Sequence, residues 1–303
     1  MKKTHILMFS GLIALSLTSC NPTNQPGNII GDQNKESSIK YTTVNKEAHQ
    51  DKSIYYARIT GSVTALGGMY NQEVYSSKIF NKGALVFNTI TTGFVSNSEQ
   101  RYENAKTNQY YLRSGHNPVI EEIDGQKVGS VSKWDDKKIT NKDDYLKVIG
   151  HTVDSITNYR VDADHEDKFF TSSSSTTKDE TIETYSYTFS LINQFNEGAE
   201  NNADNLQYSD YKYMCSTALY AKEMNHMSGY NPVFKRISFE MNINKETNRI
   251  ISSVSTEEYS INIGIMNLDC ISILNTTYNF IDDIKSLPSD LKESYDVAVE
   301  GLK

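Results

Sequence analysis

The sequence predicts an α+β fold, an antiparallel β-sheet packed against a few α-helices. Two kinds of pattern carry that prediction. Several stretches alternate apolar and polar residues with a period of two. Such strands keep one face wet, which marks an antiparallel sheet rather than a parallel one buried on both sides. Two other stretches repeat apolar residues at helical spacing behind a capping residue. The composition agrees: 20 Tyr and 11 Phe accompany abundant Thr, Ser and Asn, as expected of half-buried strands.

The chain opens with a segment that is not part of this fold. Lys2 and Lys3 precede an apolar run of 12 residues, Ile6–Leu17. A bilayer-spanning helix needs about 20 such residues, so the run fits the apolar region of a secretory signal peptide instead. It ends in Leu17-Thr18-Ser19-Cys20, which resembles the bacterial lipobox: Leu at −3, two small residues, then Cys. Thr18 is a less usual occupant of its position. The resemblance implies a thioether-linked diacylglycerol on Cys20, cleavage just before it, and a mature chain of residues 20–303. The other reading is an ordinary cleaved signal with an incidental Cys. Asn21–Ser38 is polar and rich in breakers, a flexible tether by composition. The expected organisation is therefore a leader over 1–19, a tether over 20–39 and one domain over 40–303. The expected place is extracytoplasmic, anchored to a membrane through lipid. Two acyl chains hold a protein stably, where one holds it only marginally.

Net charge bounds the partners. It is −8 for the whole chain and becomes −10 once Lys2 and Lys3 leave with the leader. No basic footprint for nucleic acid exists. Besides Cys20 there are two cysteines, Cys215 and Cys270. They either pair in an oxidising exterior or stay as buried thiols.

Along the domain, Thr140-Asn141-Lys142-Asp143 reads as a weak capping box ahead of a helix carrying Tyr145, Val148 and Ile149. Thr171–Thr181, "TSSSSTTKDET", has no periodicity and reads as an exposed loop and a candidate internal boundary. Thr184–Leu191 is the clearest strand, with Tyr185, Tyr187, Phe189 and Leu191 on one face. Ser209 caps a second predicted helix whose stripe holds Tyr211, Met214, Cys215, Ala218 and Leu219. Ile237–Asn244 is a strand with Ile237, Phe239, Met241 and Ile243 on one face, followed by the polar turn "NKETN". After the turn, Ile250 and Val254 are in one phase and Tyr259, Ile261, Ile263 and Ile265 in the other. A bulge is expected between Val254 and Tyr259. A last strand covers 268–280. "SGHNPVIEEI" (114–123) and "SGYNPVFKRI" (228–237) match at six of ten positions. They reflect either an internal duplication or the same turn ahead of a strand.

The succession of strands over 180–280, notably "FKRISFEMNINKETNRIISSVSTEEYSI", with further support in 85–123, resembles the hairpins of the LolA/LppX-type lipoprotein family. The resemblance implies a curved, half-barrel-like antiparallel sheet whose concave face, closed by helices, holds acyl chains. Its ligand-binding residues here would be Tyr185, Tyr187, Phe189, Phe239, Met241 and Ile243. The same face also reads as ordinary core beneath the 209–226 helix.

Signals for chemistry are few. In "DADHED", Asp162, Asp164 and Glu166 are weak metal candidates, but Asp167 stands where an EF-hand loop needs Gly and Ser173 where it needs Glu. His116, His151, His165 and His226 lack zinc-ligand spacing, and no phosphate loop, Rossmann glycine set or nucleophile elbow occurs. His151 and Asp154 are three apart, as an acid–base pair or a surface hydrogen bond would be. No catalytic residue and no cofactor is assigned. The expected function is a non-enzymatic binding or carrier module for an apolar, lipid-like ligand. The alternatives are adhesion through a Tyr-rich face and an enzyme without a recognisable motif.

Overall fold

Turn chemistry organises the chain into hairpins. In the computed structural model, which describes residues 41, 43, 44, 53–93, 96–136, 141–149, 156, 157, 159, 170–189, 232–263, 266–300 and 302, β1 (Ile54–Ala65) is followed by β2 (Tyr70–Asn81) and β3 (Ala84–Gly93). Lys82 and Gly83, between β2 and β3, both take positive φ, of 51° and 101°. That two-residue turn matches the twist of the flanking strands. β4 (Asn97–Asn104) and β5 (Gln109–His116) are joined by a four-residue turn, and β6 (Val119–Ile123) and β7 (Gln126–Ser130) by Asp124-Gly125. After β8 (Lys133–Trp134) come helix α1 (Lys142–Ile149), β9 (Phe170–Thr177), β10 (Ile182–Phe189), β11 (Val233–Asn244), β12 (Arg249–Ile263), β13 (Met266–Phe280) and helix α2 (Ser289–Glu300).

Eleven strands form one antiparallel sheet in the order β8-β5-β4-β3-β2-β1-β13-β12-β11-β10-β9, and β6-β7 make a separate hairpin. The sheet is two meanders joined at a seam, where β1 pairs with β13 from Tyr55↔Phe280 to Ala65↔Cys270. The described chain is thus mostly β. The expected antiparallel sheet is present, but with two helices among the described residues the α+β description overstates the helical share.

One face of the sheet is a continuous apolar cluster reaching from Leu85 and Phe87 on β3 to Tyr185, Tyr187 and Phe189 on β10. Each large apolar side chain buried there contributes roughly 1.5–3 kcal/mol. Charges are set into the same face. Lys78 is buried and donates to the carbonyls of Ile156 and Thr157, 3.1 Å each. Arg101 Nε donates to Glu99 Oε1 at 2.7 Å, and the Tyr159 hydroxyl donates to Glu257 Oε1 at 2.8 Å. The other face differs between the meanders. Over β1–β5 it is covered by α2, whose Leu291 and Ala298, with Leu287 before the helix, pack on Ile79, Val86, Tyr102 and Tyr111. Over β10–β13 it is a wet surface of Ser, Thr and Asn, with Val254, Ile271 and Ile273 exposed among them.

Several expectations shift. "TSSSSTTKDET" is no loop: its first part is the edge strand β9, paired with β10 from Thr177↔Glu183 to Phe170↔Phe189. Ser and Thr suit a sheet edge, yet their uniform polarity leaves no alternation to read. The turn proper falls at Asp179, whose Oδ1 accepts from the backbone of Thr181 and Ile182. On β12 the register slips at Ile251, since Ile243 pairs with Ile250 and Asn242 with Ser252. The phase therefore changes before Val254, which lies on the wet face. A second slip, at Lys235 on β11, sits opposite Glu258 and Tyr259. The cap of α1 is Asn141, one residue later than expected: its Oδ1 accepts from the Asp144 backbone N–H at 2.9 Å. The 209–226 helix, Cys215 and the first half of the second "SG-NP" segment lie outside the described residues. In both copies a strand follows the Asn-Pro, β6 in one and β11 in the other.

Candidate functional site

The six side chains expected to line an apolar ligand cleft are packed core. Tyr185, Tyr187, Phe189, Phe239, Met241 and Ile243 are 0–4% exposed. The chain's own rings fill the space above them. Tyr41 meets Phe170, Tyr187 and Phe239 edge-on at centroid distances of 5.6–5.8 Å, and Tyr159 lies 4.7 Å from Phe189. The Tyr41 hydroxyl reaches the hydroxyl of Thr157 and the carbonyl of Tyr159, fixing these segments over the sheet. Most described tyrosines are likewise buried, so they build core rather than a surface.

A cleft exists on the opposite face. Its floor is β2 and β3, one wall is α2, and the other is the β6-β7 hairpin with the segment running into β8. The volume is about 300 Å³, the lower end of small-molecule sites. The hairpin approaches so closely that a Cβ at Gly129 would lie 2.4 Å from Tyr75 Cδ1 and 2.8 Å from Ile90 Cδ1. Lys127 on the hairpin pairs with Glu73 on β2 at 2.9 Å. Trp134, the one tryptophan in the chain, belongs to the lining. The Arg113 guanidinium stands 5.3 Å from its ring and also donates to the Val297 carbonyl on α2 at 3.1 Å, joining the two walls.

The polar groups of the cleft come from three elements. Asp290, in the first turn of α2, takes both arms of Arg58 from β1 at 2.6 and 2.7 Å, and Arg58 Nη1 also donates to the Tyr75 hydroxyl at 3.2 Å. Partial burial raises the Asp290 pKa, but the Arg58 hydrogen bonds and charge outweigh it and hold the carboxyl below its ordinary range. Burial raises the Tyr75 pKa, so this hydroxyl stays protonated. Asn88 on β3 donates to Ser77 Oγ at 3.0 Å and to Ser294 Oγ on α2 at 2.7 Å, while its carbonyl oxygen is buried with no hydrogen-bond partner among the described residues.

Asp162, Asp164 and Glu166, the His151–Asp154 pair, and the leader with Leu17, Thr18, Ser19 and Cys20 lie outside the described residues. No group of three potential metal ligands occurs among the described residues. His116 pairs with Asp135 at 2.7 Å on the exposed surface, away from the cleft lining. Cys270 is a free thiol, buried, with its pKa pushed up to about 11 by burial and then by Asp269. No helix among the described residues is long and apolar enough to cross a membrane. No protein-family model and no curated protein matches the chain.

Proposed function

We propose that this chain is an extracytoplasmic lipoprotein, held at a membrane by a lipid on Cys20, whose sheet domain is a non-enzymatic binding module. Its ligand site is the cleft between α2 and the β6-β7 hairpin. The observation that carries the reading is the contrast between the two faces. The apolar face, where a carrier would hold acyl chains, is filled by Tyr41 and Tyr159, whereas the other face keeps about 300 Å³ open beside Trp134 and Asn88. The ligand is accordingly a small molecule rather than a two-chain lipid. The sheet is read as curving half-barrel-like around its filled face. A single buried cluster shared by β3 and β10 supports that curvature.

Two measurements test the reading. Replacing Cys20 by Ala should abolish incorporation of labelled fatty acid and release or stall the precursor; unchanged labelling removes the anchor from the proposal. Native mass spectrometry of the wild-type chain, released gently from detergent, should show the covalent lipid and no further noncovalent lipid. A retained noncovalent lipid on the Cys20→Ala protein would return the function to lipid carriage.

A further inference from the structure

The cleft is apolar and polar in nearly interleaved fashion. Ile90, Val128, Leu291 and Trp134 offer hydrocarbon and an aromatic ring, while Ser77, Asn88, Ser130 and Ser294 offer groups that both give and take hydrogen bonds. The charges are arranged differently. Asp290 is already answered by the two-armed grip of Arg58, and Glu293, solvent-exposed on α2, lines the cleft beside it. Among the described residues, the lining therefore holds no cation, and Glu293 is its one carboxylate without a cationic partner. An anion entering it would lose hydration without finding a counter-ion. Asn88 is the most demanding group there. It is 4% exposed, its amide nitrogen is engaged with both serines, and its oxygen has no partner among the described residues. Leaving such a group unsatisfied is costly. A hydroxyl, which is donor and acceptor at once, completes the amide whichever way it is turned.

We infer that the cleft takes a small, neutral, hydroxyl-rich molecule of monosaccharide size, its C–H surface against Ile90, Leu291 and Trp134 and its hydroxyls among Asn88, Ser294 and Ser130. The inference rests on the reading of this cleft as the ligand site. The alternation of C–H faces and hydroxyl edges on a sugar ring matches that of the walls. Neither a fatty acid nor a polyamine does: a fatty acid brings a carboxylate to a lining that already holds Asp290 and Glu293, and a polyamine's methylene chain leaves Asn88, Ser130 and Ser294 without hydroxyl partners.

Trp134 is the sole tryptophan of 303 residues, so emission excited where tyrosine does not absorb reports this site alone. The full chain in detergent is titrated with glucose, galactose, mannose and N-acetylglucosamine, and separately with putrescine and octanoate. At least one sugar should shift the emission saturably, and putrescine and octanoate should not. Asn88→Ala should weaken the sugar response about tenfold or more. Ser130→Phe, at an exposed hairpin position, should block it with the sheet's circular dichroism unchanged. A response to putrescine or octanoate alone overturns the sugar class while keeping the cleft as a ligand site. A sugar response unaltered in both variants places binding elsewhere and overturns the inference. Silence with every probe overturns it too, and the noncovalent-lipid measurement then decides separately whether the cleft or the apolar face carries the function.

Discussion

Arg58 lies on a strand at the centre of the sheet, its side chain 5% exposed, and its counter-ion arrives from a helix near the other end of the chain. A guanidinium so enclosed depends on that partner. Removing one member of a buried pair costs about 3–5 kcal/mol, because the survivor is left without compensation. Asp290 is itself 29% exposed, which places Asp290→Ala toward the lower end, about 3 kcal/mol. The Tyr75 hydroxyl then remains to accept from Arg58. Urea unfolding of the variant checks this, and an unchanged midpoint would show that Arg58 finds water. The pair also has a pH signature. The Asp290 pKa is lowered by folding, so its contribution is complete above the ordinary carboxylate value of about 4 and fades as the pH falls through the folded value. The difference between wild type and Asp290→Ala should therefore narrow in strong acid.

At the scale of elements, legibility follows which faces are wet. β10, β11 and β13 bury every second residue, and their alternation is plain in "TYSYTFSL" and "ISFEMNIN". In β2, β3 and β4 the runs 74–80, 84–90 and 98–103 are buried on both faces, with Lys78 and Arg101 buried among them on one side and α2 covering the other. Alternation disappears there because no face is solvated, and the buried Ser76, Asn88 and Gln100 blur the pattern further. Turn residues did carry information. "NAKTN" (104–108) and "NKETN" (244–248) are the same device twice: the first Asn accepts from two backbone N–H groups through Oδ1, and the last takes φ of 51° and 53°. Asp124-Gly125 is a further hairpin signal. In α2, Leu291, Tyr295, Ala298 and Val299 recur at helical spacing, yet helices are expected from the sequence only after Thr140 and after Ser209, and this one is missed. The cleft was not readable. Its lining is drawn from β2, β3, the β6-β7 hairpin, β8 and α2, and no local pattern announces that these meet.

For the whole molecule, the tyrosines set an alkaline limit. Burial raises the pKa of Tyr55 and Tyr159 well above 10 and that of Tyr278 to about 12. A phenol whose folded pKa is raised contributes its full share of stability below about 10 and loses it as the pH climbs through the folded value. The buried tyrosines' share of the tyrosinate absorbance should thus appear abruptly above about pH 11, together with loss of the sheet's circular dichroism. Complete ionisation of all 20 tyrosines near the ordinary value of about 10 in an intact sheet would contradict the burial of these rings. The seam between β1 and β13 has a consequence in time rather than energy. A chain delivered from its N-terminus can zip β1 to β5 into a local meander at once. The outer edge of β1, however, waits for a strand ending at Phe280. Until that strand arrives, the future centre of the sheet is an open edge able to pair with the wrong partner. The newborn protein is most vulnerable where the finished one is best covered.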